Sequence, residues 1–190
     1  MSNRIIALAM VTATVVLSAA VTVGLLHAVG SCPWAGPLNV GSGSSQSMVV
    51  ARPHEPMTWS AFNMISNDTD QSMVIDKVTI PSASGLIKDV VAFDPNKYGY
   101  AGDDNGWPAR AVPNAPMTPP QGSVITPHRT LDIVVELVAP GVGVYRAGPI
   151  TVDYHIGSTN YRTTVPSWGV VCTLPHATTT NQKRCDPPMP

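Results

Sequence analysis

The sequence predicts an all-β domain preceded by one N-terminal membrane-spanning helix. The domain reads as an antiparallel β-sandwich of about seven or eight strands. Three observations predict this. Residues 5 to 29 contain no Asp, Glu, Lys or Arg. Short runs after residue 48 alternate apolar and polar side chains with a period of two. The 190 residues include 19 prolines and 15 glycines and are only 12% charged, which disfavours helix and favours strands and turns.

The elements follow in order. Residues 1–4 form a cytoplasmic stub. Residues 5–29 form a signal-anchor helix, because about 20 residues at 1.5 Å each cross a hydrocarbon layer of roughly 30 Å. A cleaved signal peptide has a shorter apolar core. Arg4 precedes the run and the next Lys or Arg is Arg52, so the N-terminus stays inside and the domain lies outside. Residues 30–47, "GSCPWAGPLNVGSGSSQS", read as a Gly/Ser-rich tether. The extracytoplasmic sandwich is expected over 48–172 and a C-terminal tail over 173–190.

Within the domain, "MTWSAFNMI" and "GLIKDVVAF" are expected strands. "SMVIDKVTI" alternates imperfectly. "LDIVVELV" is cleaner: Leu131, Ile133, Val135 and Leu137 share one face, and Asp132, Val134 and Glu136 share the other. "ITVDYHI" and "YRTTV" flank "GSTN", which predicts a hairpin with Ile156 opposite Tyr161. "SWGVVC" supplies a last strand. Residues 94–122 break the rhythm: they hold six prolines and no long alternating run. Structureless connections of this length are uncommon and often functional. Tyr98, Tyr100 and Trp107 lie in this segment, and aromatic side chains in an exposed loop point to a protein-binding surface.

Charge and motif exclude much. With 11 Lys+Arg against 12 Asp+Glu, no basic field for nucleic acid exists. "HEPMT", residues 54–58, opens like a zinc-protease motif, but Thr58 replaces the second histidine and Pro56 breaks the helix. Neither a nucleophile elbow nor a phosphate loop occurs. "DDNG", 103–106, has a flavour of calcium loops but reads as a solvated turn. "NDT" makes Asn67 a glycosylation sequon. The only glutamates are Glu55 and Glu136, which argues against glycosidase carboxylates. The expectation is therefore a chain that is not an enzyme and carries no cofactor.

The three cysteines are Cys32, Cys172 and Cys185. Outside the cytoplasm neighbours tend to pair, so Cys172–Cys185 is the expected disulfide. It closes a short loop, a stabilisation of about 3 kcal/mol in the chain-entropy model. Cys32 is left over. "VGSC" resembles a bacterial lipobox, which implies lipidation of Cys32 and loss of the helix. An uncleaved anchor with a free thiol and ordinary cleavage stay open beside it.

Two family resemblances bear on function. The plan of N-terminal helix, Gly/Ser tether, β domain and late cysteine resembles membrane-anchored immunoglobulin-like domains exported by bacteria. That resemblance implies a bacterial cell membrane and carries no catalytic residues. "FNMISNDTDQSMVIDKVTI" and "GSVITPHRTLDIVVELV" resemble, in layout, periplasmic copper chaperones of the PCuAC type. This implies copper on soft ligands, with His54, Met57, Met117 and His128 as candidates. Thr130 stands where that family has a methionine. The leading expectation is a non-catalytic binding or accessory module, a subunit of a larger membrane complex. It would meet the lipid bilayer and a protein partner but no nucleic acid. Copper handling is the alternative.

Overall fold

A computed structural model describes residues 36–40, 45–60 and 65–174. The stub, the anchor expected over 5–29, Cys32, Cys185 and the tail from residue 175 lie outside the described residues. Among the described residues no helix is long and apolar enough to cross a membrane.

The chain forms β1 (Leu38–Asn39), β2 (Ser45–Ala51), β3 (Pro56–Ser60), β4 (Ile65–Asn67), β5 (Met73–Thr79) and β6 (Ile87–Phe93). A single turn of helix, α1 (Pro95–Tyr98), and β7 (Asp104–Asn105) follow. Then come β8 (Val124–Ile125), β9 (Thr130–Val138), β10 (Gly143–Ala147), β11 (Ile150–Ile156), β12 (Thr159–Val165) and β13 (Ser167–Thr173).

The first sheet has the order β1-β4-β9-β3-β7, with β6 on the opposite edge of β9. The facing layer is two sheets, β10-β13-β2 and β12-β11-β5-β8. Inward side chains of all three sheets meet in one core. Met57, Trp59, Ile133, Val135 and Leu137 come from the first sheet, Ala147 and Val171 from the second, and Ile75, Val152 and Tyr154 from the third. Two contacts show how closely the layers approach. The Leu38 N–H of β1 donates to the Tyr154 hydroxyl of β11 at 3.1 Å. A Cβ on Gly169 of β13 would lie 2.6 Å from the Trp59 ring, so only glycine fits there.

The all-β expectation and the sandwich hold, and three details differ from the sequence reading. First, β2 and β13 pair in parallel, whereas the remaining ladders are antiparallel. Second, among the described residues nine strands have five residues or more, because β2 and β10 join the expected seven. β1 and the start of β2 fall inside the expected tether: Leu38 buries to 5% exposure, and ladder bonds to β13 order a stretch whose Gly/Ser composition reads as flexible. Third, the hairpin turn is Gly157-Ser158, so Ile156 pairs Thr159 and Asp153 pairs Arg162. The slip is two residues, and faces are kept because side chains repeat every two.

The imperfect alternation of β5 also has a cause. Between Asp153/Lys77 and Tyr154/Ile75 the register jumps, leaving Asp76 as an extra residue. Such a bulge flips the facing of everything beyond it. Met73 and Ile75 point inward before it, and Val78 and Ile80 pack on the core after it.

Candidate functional site

β9 is where the site begins. Its inner residues, Leu131, Ile133, Val135 and Leu137, fill the main core as alternation predicts. Its outer residues Asp132 and Val134 do not face water. Asp132 is 1% exposed and Val134 is fully buried. They lie beneath residues 94–122, which fold back over the sheet as a lobe.

The lobe has its own small core. Ala101, Ala109 and Val112 bury against Val91 and Phe93 of β6 and Val134 of β9, with Tyr98, Trp107, Ala115 and Met117 packed at its rim. It opens with α1, whose first turn is capped by the Asp94 carboxylate accepting from Asn96 N–H at 2.9 Å, with Pro95 at the first helical position, where its missing N–H costs nothing. Both edges are fastened. On one side β7 pairs β3, Thr58 Oγ1 donates to the Gly106 carbonyl at 2.7 Å, and Ser60 N–H donates to Asp103 Oδ1 at 3.0 Å. On the other side Ala92 N–H donates to the Thr118 carbonyl at 2.8 Å, and Thr118 N–H returns the bond at 3.2 Å.

The expected recognition aromatics are thus divided. Tyr98 and Trp107 are half-buried foundations of the lobe. Tyr100 is 61% exposed and stands on its surface.

Under the lobe lies a pair of carboxyl groups. Burial pushes Asp132 up to about 6, against the pull of the Ala101 and Ile133 N–H groups and the Ser60 hydroxyl, and the Asp103 carboxylate adds the smallest push. Burial also pushes Asp103 up, against hydrogen bonds from Ser47 and Ser60. Among the described residues Asp132 Oδ1 has no hydrogen-bond partner. A buried carboxylate without a cation is costly and tends to take a proton instead. Sequence alternation puts Asp132 on the outer face but carries no sign that this face is covered.

The candidate copper ligands do not converge. Met57 is fully buried in the main core, and Met117 packs on the separate core of the lobe. His54 N–H donates to Ala139, beyond the end of β9, and His128 N–H donates to Asn67, beside its start. The two histidines are therefore separated by about the length of β9, roughly 3.3 Å for each of its residues. Among the described residues no cluster of three His, Cys, Asp or Glu is placed to hold a metal. Asn67, the sequon residue, is fully buried. Its side-chain amide donates to Gln71 and Ile125 carbonyls at 2.7 and 2.8 Å, and its oxygen accepts from Thr69. It is a structural residue with no room for a glycan.

Two further features complete the surface. A cleft of about 370 Å³ lies between α1 and β8–β9, with Lys97, Arg129 and Leu131 among its walls. Cys172 is buried in β13 and is disulfide-bonded; Cys32 and Cys185 are both outside the described residues.

No family model matches the chain, and no curated protein matches it. Among solved structures, a human ASH/PapD-like domain of CEP192 (PapD-like domain 7) is similar at 9% identity and a TM-score of 0.42, covering 75% of this chain and 89% of that one. The VesB protease of Vibrio cholerae is similar at 10% identity and a TM-score of 0.38, over 73% of this chain and 32% of the protease. A family 123 glycoside hydrolase from Clostridium perfringens is similar at 15% identity and a TM-score of 0.32, over 68% of this chain and 23% of the hydrolase. All three scores fall below 0.5, so the description of the fold rests on strand pairing and burial.

Proposed function

We propose that the chain is a non-catalytic, immunoglobulin-like binding or accessory module of a bacterial cell membrane, held by residues 5–29 with its β domain outside. The lobe of residues 94–122 is its partner surface, and Tyr100 is the exposed aromatic at the centre of that surface. The observation that carries this reading is the lobe itself. A proline-rich segment of this length is ordered by two fastened edges and a private core, and the large aromatic it displays is not needed for that core. Rigid amphipathic rings make contact area at low entropic cost. Cys172–Cys185 is the proposed disulfide; with residues 5–29 retained Cys32 is a free thiol on the tether, and lipidation of Cys32 is the alternative in which the helix is lost.

The test is affinity capture from detergent-solubilised membranes with the full chain. A stoichiometric partner that is lost with Tyr100→Ala and kept with Thr164→Ala, on the opposite sheet, is the expected result. Equal capture by both variants removes the lobe from the mechanism.

A further inference from the structure

We propose that Asp103 and Asp132 form a proton-operated clasp that holds the 94–122 lobe on the outer face of the sheet. Asp132 belongs to the sheet and Asp103 to the lobe. Ser60 of β3 sits at the seam between them: its N–H donates to Asp103 Oδ1 at 3.0 Å and its hydroxyl acts on Asp132. Burial disfavours a charge on Asp132, and the Asp103 carboxylate adds a smaller repulsion, so the closed seam favours a proton on Asp132. Asp132, at 1% exposure and with no partner for Oδ1 among the described residues, is where the proton is held.

Among the described residues the surroundings supply no substitute charge. β6 places Phe93 opposite Asp132, and Asp94 beyond it is turned onto Asn96. Ser47 of β2 adds a hydroxyl to Asp103. Asp104 lies 3.9 Å from Arg110. On β9 itself Glu136 follows beyond Val134 on the same face, beside Lys88 and Asp89. Residues 61–64, Ala-Phe-Asn-Met, contain no acid or base. Among the described residues Asp103 is the charged group that acts on Asp132.

The direction follows. Lifting the lobe returns Asp132 to water and to its ordinary value near 3.8, while the closed value is about 6. The closed state therefore binds the proton more tightly. The clasp is firm below about pH 4, loosens about tenfold per unit between about pH 4 and 6, and is level above that, for a total of about a hundredfold. The clasp stands on this seam; its consequence for partner capture rests on the lobe being the partner surface.

Hydrogen exchange of the full chain, corrected for the intrinsic effect of pH on exchange, tests the clasp. Protection of amides in 94–122 should fall about a hundredfold from about pH 4 to 7, while β11 amides keep theirs. Asp132→Asn cannot titrate and should abolish the fall. Asp103→Asn removes only the smaller repulsion and should reduce it slightly; Asp132→Ser, which cannot titrate either, serves if the first variant fails to fold. A pH-independent lobe, or an unchanged slope in whichever Asp132 variant folds, overturns the proposal. So does recovery of acid-level protection at neutral pH on adding calcium or magnesium chloride, because the seam would then hold a cation. A pH-responsive lobe in a chain whose capture ignores Tyr100→Ala supports the clasp and removes only the partner reading.

Discussion

The two outer faces of the molecule are built from similar strands and meet different fates. On β11, Thr151, Asp153 and His155 alternate outward and stay partly exposed. They are served by surface pairs: Asp153 Oδ1 accepts from Arg162 Nε at 2.5 Å, and His155 Nδ1 lies 2.8 Å from Asp76. On β9, the outward residues are Asp132, Val134 and Glu136, and β6 adds Val91 and Phe93 beside them. Those three apolar residues would form an exposed patch, which soluble surfaces rarely tolerate. The lobe covers them. An outer face with apolar residues interleaved among its polar ones therefore calls for a cover, and the cover traps whatever polar group lies between. Here that group is Asp132.

Substitutions on the two faces should separate sharply. The largest effect belongs to Phe93→Ala, which removes the ring shared by lobe and sheet. Its cost is expected to be about 3–5 kcal/mol in urea unfolding. A loss under about 1 kcal/mol would mean that the lobe contributes little to folding.

Asp132→Asn comes next and acts through pH. The folded carboxyl holds its proton more tightly than the unfolded one. Its stabilising contribution is fully present below about 3.8 and is lost as pH climbs through about 6. The difference is worth about 3 kcal/mol. The parent should lose that stability between about pH 4 and 6, and the asparagine variant should not. Melting curves across this window decide it, and parallel profiles would show that Asp132 is already neutralised by another group.

The smallest effect is expected for Arg162→Ala on the bare face. Although Asp153 raises the guanidinium pKa, the pair is solvent-screened, and such pairs contribute little. Its melting temperature should stay within the scatter of neutral surface changes. A drop rivalling that of Phe93→Ala would erase the distinction between the two faces.

The core was legible in the sequence where alternation was clean. Leu131 to Leu137 and Ile150 to Tyr154 point inward as their period of two requires. β5 reads poorly because the bulge at Asp76 reverses its facing midway, and only the partner strand reveals the extra residue. β2 escapes notice because Ser45 to Ser47 carry no apolar signal; its order comes from ladder bonds to β13, far away in sequence. The lobe was legible as an anomaly, six prolines in a long gap, but not as a cover. Its contacts are small, Ala101, Ala109 and Val112, spread without periodicity. The Asp103–Asp132 pair was invisible for the same reason, since it exists only after the fold brings residue 103 over residue 132.

The parallel pairing of β2 with β13 has a mechanical consequence. Seven rungs join Ser45–Ala51 to Ser167–Thr173 in the same direction, so the chain enters at one end of this ribbon and leaves at the other. A pull on the two ends runs along the strands and loads the rungs together in shear, whereas a hairpin would open one rung at a time. A domain stretched between the segments before β2 and after β13 would resist until the whole ribbon slid.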